Sequence, residues 1–236
     1  MLGNPSEKIK KLIQTVARTY RALLEPGQVV ELRAIGVRRG KYAPHIEGGF
    51  YDTKHIPDMV QAALALTSIA EGVYWTLNPL HPDLLARRFN RADWVKCDES
   101  ATDKDVLRRR WLLIDADPVR RPKISSTEAE KAHARTTVQY VRDHLRGKGW
   151  PDPYLADSGN GYHLLYRIDL PAEDEDTVKQ ILHALADRFD TEEVKIDRSV
   201  FNASRICKFY GTIARKGDST SSRPHRFARL LGVLKE

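Results

Sequence analysis

Two aspartates two positions apart, Asp115 and Asp117, close the apolar run WLLIDAD. A short run of branched and aromatic residues reads as a buried strand, and side chains two positions apart on a strand leave the same face. Carboxylates this close repel unless a cation lies between them, so the pair is a candidate site for Mg²⁺ or Mn²⁺. The plainer alternative is a carboxylate capping the turn before Pro118 beside a solvated one. A third carboxylate, Asp197, ends another short apolar run, VKID, with Arg198 and Arg205 as its possible ion-pair partners. Three carboxylates at one place would suit two metals about 3.5–4 Å apart, an arrangement that activates an attacking hydroxyl and stabilises a departing pyrophosphate.

Basic and polar residues follow the same logic. In SGNGYH, the glycines predict a hairpin turn whose backbone N–H groups face phosphate oxygens, with Ser158, Asn160 and His163 as side-chain donors. A tight turn and a structural histidine are the alternative. Arg205 and Lys208 stand among apolar residues in FNASRICK, a placement that suits triphosphate binding or neutralisation of the acidic cluster.

The elements that must position these residues can be read from periodicity. Ile9, Leu12, Ile13, Val16, Tyr20, Leu23 and Leu24 predict an opening amphipathic helix stopped at Pro26-Gly27. VVELRAIGVRRG and IEGGFYD read as paired strands around the basic turn Arg38–Lys41. A helix over Pro57 to Ala70, the strand VYWTL and a short helix over Pro82 to Phe89 follow. The stretch from Asn90 to Arg110 reads as a long polar connection, with Arg108, Arg109 and Arg110 facing solvent or phosphate. Beyond it, WLLID, a helix started by Ser125 and Glu128 at capping-box spacing, the hairpin PYLADS/YHLLYRI, a helix carrying Val178, Ile181, Leu182, Leu185 and Phe189, and VKID give the order βαββαβ. That order predicts an α+β, ferredoxin-like or RRM-like module with helices on one face of its sheet and the other face open. Its first strand would lie between the third and the fourth, bringing Asp197 beside the aspartate pair. The implied modules are residues 1–110, an N-terminal α/β unit, and 111–236, the unit carrying the site.

Composition sets outer limits. The chain has 236 residues, 41% of them hydrophobic and 30% charged, a globular balance. Its formal charge of +7 fits a phosphate-bearing partner. Cys97 and Cys207 form no zinc or disulfide pattern and read as buried small hydrophobes, so no zinc is expected. The opening MLGNPSEKIKKLIQ has no apolar leader segment and no stretch suits a bilayer, which predicts a cytoplasmic protein without membrane contact.

WLLIDAD, SGNGYH and KID followed by FNASRICK resemble, in order and spacing, the three motifs of the archaeo-eukaryotic primase superfamily. The likeness is nearest to the primase-polymerases of plasmids, phages and CRISPR-associated systems, and VVELRAI and VYWTLNP look like that group's N-terminal parts. It implies an N-terminal α/β module packed on an RRM-like catalytic module. It makes Asp115, Asp117 and Asp197 the catalytic metal ligands of a two-metal site. Ser158, His163, Arg205 and Lys208 become nucleotide contacts, joining Asn160 from the turn reading, and Asn78 a residue near nucleotide or primer. The implied activity is template-directed nucleotidyl transfer with DNA template or primer and (d)NTPs as partners, assisted by a fused or separate helicase or accessory priming domain. Tyr74 is a candidate probe of the sugar 2′ position or a core residue, and Pro224 with the LLGVLKE end suits a link to another domain. Two rivals remain: a non-catalytic RRM-like module that binds single-stranded nucleic acid, and a sugar-nucleotide transferase using the Asp-x-Asp pair.

Overall fold

A computed structural model describes residues 5–233, with Pro5 and Cys97 as backbone only. The side chain of Cys97, the first residues of the opening stretch and the last three of LLGVLKE lie outside the described residues. Helix α1 (Pro5–Leu23) buries Val16, Ala17, Tyr20 and Leu23, a stripe at helical spacing. The chain then forms β1 (Val29–Val37), β2 (His45–Asp52), α2 (Ile56–Leu66), β3 (Gly72–Thr76) and β4 (Asp93–Val95). Helix α2 stops four residues short of Ala70, because its last turn closes with the Thr67 N–H on the Ala63 carbonyl and Ile69 turns to accept from Arg38 N. The expected helix over Pro82 to Phe89 is a 3₁₀ turn, Pro82–Ala86, beginning at His81.

The stretch from Asn90 to Arg110 is more ordered than its composition suggests. β4 pairs with β2, and buried Glu31 accepts from Ala101 N, which ties the connection to β1. Arg109 and Arg110 already belong to the next strand, β5 (Arg109–Pro118). Arg109 does not face solvent. It is buried, donating Nε to the Ala172 carbonyl at 2.9 Å and Nη1 to the Phe201 carbonyl at 2.6 Å. Arg108 and Arg110 both pair with Asp169.

The second half continues with α3 (Glu128–Arg146), β6 (Tyr154–Asp157), β7 (Tyr162–Leu170), α4 (Glu175–Phe189) and β8 (Val194–Ile196). β5 lies between β7 and β8, as the element order predicts, with Asp115 opposite His163 and Ala116 opposite Ile196. The cap of α3 sits two residues later than expected. Thr127 accepts from Glu130 N, Glu130 accepts from Thr127 N, and Arg223 grips the Glu130 carboxylate, whereas Glu128 pairs with Arg226.

β9 (Ile206–Lys208) leaves the second sheet and pairs with β3, so the sheets run β4-β2-β1-β3-β9 and β12-β6-β7-β5-β8. β10 (Ile213–Ala214) and β11 (Arg226–Phe227) form a small ribbon, and β12 (Arg229–Val233) pairs with β6. The described part of LLGVLKE is therefore an edge strand. A boundary near residue 110 separates the sheets only as far as β8.

The sheet face away from α3 and α4 is not open along its length. Trp111, Leu113 and Leu165 are buried in one core that also holds Tyr20, Trp75 and Phe209. Among the described residues no helix is long and apolar enough to cross a membrane.

Candidate active site between the two sheets

The part of that face left uncovered forms one wall of a cavity of about 400 Å³. Asp115, Asp117, Ser158, Asn160 and His163 line it from the second sheet, Tyr74 and Lys208 from the first, and Asp197, Arg205, Arg215 and Lys216 from connecting segments. Strand alternation puts Asp115 and Asp117 on this wall while Ile114 and Ala116 are buried. Asp115 Oδ1 is buried with no hydrogen bond, and its near neighbour is His163 Nε2 at 3.5 Å. Burial is the largest influence on the Asp115 carboxyl and pushes it up, but His163, through its charge and its contact, together with the Lys216 and Arg120 charges holds the group below its ordinary value. Burial and the Asp115 charge push Asp117 up, against Arg120 Nη2 at 3.7 Å.

Asp197 is the first residue past β8. Its N–H donates to the Asp115 carbonyl at 2.8 Å, which pins it beside the pair, and its Oδ1 accepts from Ser199 N at 2.8 Å. The cations named as its partners go elsewhere: Arg198 pairs with Asp187 and Asp190, and Arg205 donates to the Ser199 carbonyl. Among the described residues no three His, Cys, Asp or Glu side chains close on one point as a finished metal centre would. The three carboxylates line a shared cavity. The orphaned Asp115 oxygen and the raised Asp117 fit a hard cation, which takes carboxylate oxygens.

His163 is buried over a polar cluster that the sequence did not reveal. Its Nδ1 lies 3.0 Å from the Tyr210 hydroxyl and 3.4 Å from Cys207 Sγ, and these two are 3.3 Å apart. Burial alone would lower the imidazole, yet the Asp115 carboxylate, with Cys207 adding, raises it well above the ordinary value. Cys207 is thus more than a small hydrophobe, although it is buried as expected. Strand pairing across β3 and β9 is the only signal that would have found it, because Cys207 sits opposite Trp75.

In the turn Ser158–Gly161 the two glycine N–H groups are taken: Gly159 N donates to Asp157 Oδ1 and Gly161 N to Ser158 Oγ, so the glycines do not supply the expected anion nest. The glycines serve close approach instead. Gly159 has φ +95°, and a Cβ on Gly161 would sit 2.5 Å from Asp117 Oδ1. Asn160 lines the cavity, but its oxygen holds the approach to α3 by accepting from Ser126 N at 2.9 Å.

The opposite wall is cationic. Lys208 is buried, donates to the Ile213 carbonyl at 2.9 Å and lies 5.4 Å over the Tyr74 ring. Burial, with Arg215 adding, pushes its ammonium down to about 7. Arg205 Nε is buried and unpartnered, while Arg215 donates to the Thr67 carbonyl and Lys216 is exposed. Tyr74 therefore lines the cavity rather than the core. Asn78 does not reach it: its Nδ2 donates to the Ala203 carbonyl and its Oδ1 accepts from Arg110 N and Trp111 N.

The sequence matches no family model and no curated protein. Among solved structures, the crystal structure of primase RepB′ is similar over 93% of this chain, with a TM-score of 0.51 and 13% identity. The two share a fold. The chain spans 55% of that structure's length.

Proposed function

We propose that the chain catalyses template-directed, divalent-metal-dependent nucleotidyl transfer, as a primase-polymerase of the archaeo-eukaryotic kind built on an RRM-like catalytic module. The observation that carries this reading is the cavity itself, in which an aspartate pair with an orphaned oxygen faces a wall of Arg205 and Lys208. Asp115, Asp117 and Asp197 would hold Mg²⁺ or Mn²⁺, and the bound ions supply the charge that favours 3′-hydroxyl attack and pyrophosphate departure. Arg205 and Lys208 hold the incoming triphosphate, Arg205 through its planar fork and Lys208 as a point charge. His163, fixed at Nδ1 by Tyr210, presents Nε2 to the cavity as a donor beside Asp115. The Ser158 hydroxyl adds a second donor on the same wall. The shared fold with primase RepB′ supports the choice of reaction, and DNA template or primer and (d)NTPs are the partners it calls for.

The rivals fare less well. A base-reading module needs an accessible sheet face, and here Trp111, Leu113 and Leu165 are buried. A nucleotide-sugar crevice belongs to a parallel sheet, and the strand pairs here are antiparallel. The test is incorporation of labelled dNTPs and NTPs on primed and unprimed templates. Asp115→Ala with Asp117→Ala abolishes incorporation in this reading while template binding persists. Undiminished Mn²⁺-dependent extension by that variant overturns it.

A further inference from the structure

Beside the cavity, and sharing Asp117 and Lys216 with it, lies a second recess of about 300 Å³ under the loop that follows β5. Apart from Asp117 its charged lining is cationic: Arg120, Arg121, Lys123, Lys195 and Lys216. The loop is held in shape from within. Arg120 is half-buried with its side chain turned inward, donating Nε to the Ile124 carbonyl at 3.1 Å and Nη1 to the Pro118 carbonyl at 2.9 Å. Val119 N donates to the Glu193 carbonyl at 2.7 Å. Lys123 has φ +61°, in the left-handed region that lysine seldom adopts, and Gly217 packs so close that a Cβ there would come 2.5 Å from the Lys123 carbonyl oxygen. One inward-turned arginine thus braces the loop, and Arg121 and Lys123 stand exposed on it beside exposed Lys195 and Lys216. Lys195 has Asp190 at 3.7 Å.

Nucleotidyl transfer needs two phosphate-bearing ligands at once. The 3′-oxygen of one bonds to the α-phosphorus of the other as the bond to pyrophosphate breaks and the hydroxyl proton leaves to solvent. Attack and departure lie on opposite sides of the phosphorus, so the two sets of phosphates need separate cationic surfaces around the carboxylates. Arg205 and Lys208 line the cavity and not the recess. We propose that the recess holds the 5′-side phosphates of the ligand that supplies the 3′-hydroxyl, leaving the Arg205 and Lys208 wall to the incoming triphosphate. This assignment rests on the nucleotide-transfer reading. The phosphates come from either of two sources, the backbone of a primer strand or the 5′-triphosphate of an initiating nucleotide.

The test is Arg121→Glu with Lys123→Glu in the full chain, with an unchanged Tm showing that the fold is kept. In the strand arm, a fluorescent primer–template is titrated without nucleotide. The variant binds about tenfold more weakly, with a log K against log salt slope shallower by about one to two. Its KM for primer–template rises about tenfold while KM for the incoming nucleotide stays within about twofold. In the initiation arm, unprimed dinucleotide synthesis compares nucleoside triphosphate with monophosphate as the 5′ partner, and the variant loses the wild-type preference for triphosphate. A change in either arm supports the recess and identifies its source. Wild-type incorporation with neither arm altered, or a rise confined to the incoming-nucleotide KM, overturns the assignment. Absence of incorporation by the wild type, primed or unprimed, overturns the transfer reading and the assignment with it.

Discussion

The two ends of strand β5 treat their buried charged and amide side chains in opposite ways, although the indole N–H of Trp111 near its start is also unpartnered. At its start, Asn78 places both ends of its amide on backbone groups, and Arg109 donates to two carbonyls from distant segments. At its far end, Asp115 Oδ1 has no hydrogen bond, and across the cavity Arg205 Nε is equally orphaned. A buried group left unpaired costs about 1–3 kcal/mol, so the far end carries a cost that a bound ion or water relieves. The difference separates polar residues that stitch the sheets together from those held in readiness, and burial alone would not have told them apart.

That contrast breaks most visibly at the aspartates. Asp115→Ala with Asp117→Ala lowers incorporation by about three orders of magnitude or more, leaves the metal-free Tm unchanged or higher, and abolishes the rise in Tm that Mn²⁺ gives the wild type. Differential scanning fluorimetry with and without Mn²⁺ reads the last two. Asn78→Ala is the mirror image, costing about 3 kcal/mol of stability in urea unfolding while the Mn²⁺-induced rise survives. A loss of metal response in that variant would merge the two ends into one functional unit.

Lys208→Met weakens binding of a non-hydrolysable nucleoside triphosphate by about tenfold at pH 6. Burial depresses this ammonium to about 7, so it is charged below that pH and neutral above it. Triphosphate prefers the charged form, and wild-type affinity therefore falls as pH rises through about 7. In Lys208→Met this step disappears; a persistent step would assign the pH dependence to another group. The smallest effect belongs to the cap of α3, where Thr127→Ala costs about 1 kcal/mol of stability and Ser125→Ala loses only its long bond to the Lys216 carbonyl.

The periodic parts of the chain were legible from sequence because their signals are local. Asp115 and Asp117 share a wall because of strand alternation, and Asp197 reaches them because βαββαβ order sets β8 beside β5. What escaped was decided at a distance. Arg109 sits in a run of three arginines that reads as solvent-facing, but the carbonyls it serves lie 63 and 92 residues away. Two overlapping registers, Ser125 with Glu128 and Thr127 with Glu130, offer the same cap, and Arg223, 93 residues on, joins the second. β9 is three residues long, too short for any period, and its membership in the first sheet follows from pairing with Tyr74, Trp75 and Thr76. The cluster of His163, Tyr210 and Cys207 depends on that pairing and was hidden with it.

The excursion of β9 into the first sheet also imposes an order in time. Asn78 and Ala203, bonded across the joint, stand 125 residues apart in the chain, and closing so long a loop must wait until the segments at both ends have somewhere to dock. A chain emerging from the ribosome as far as Asp197, one residue past β8, carries all three aspartates but neither Arg205 nor Lys208. Synthesis interrupted there yields a carboxylate wall without Arg205 and Lys208 opposite it, so the pair of walls comes into being only once β9 pairs with β3.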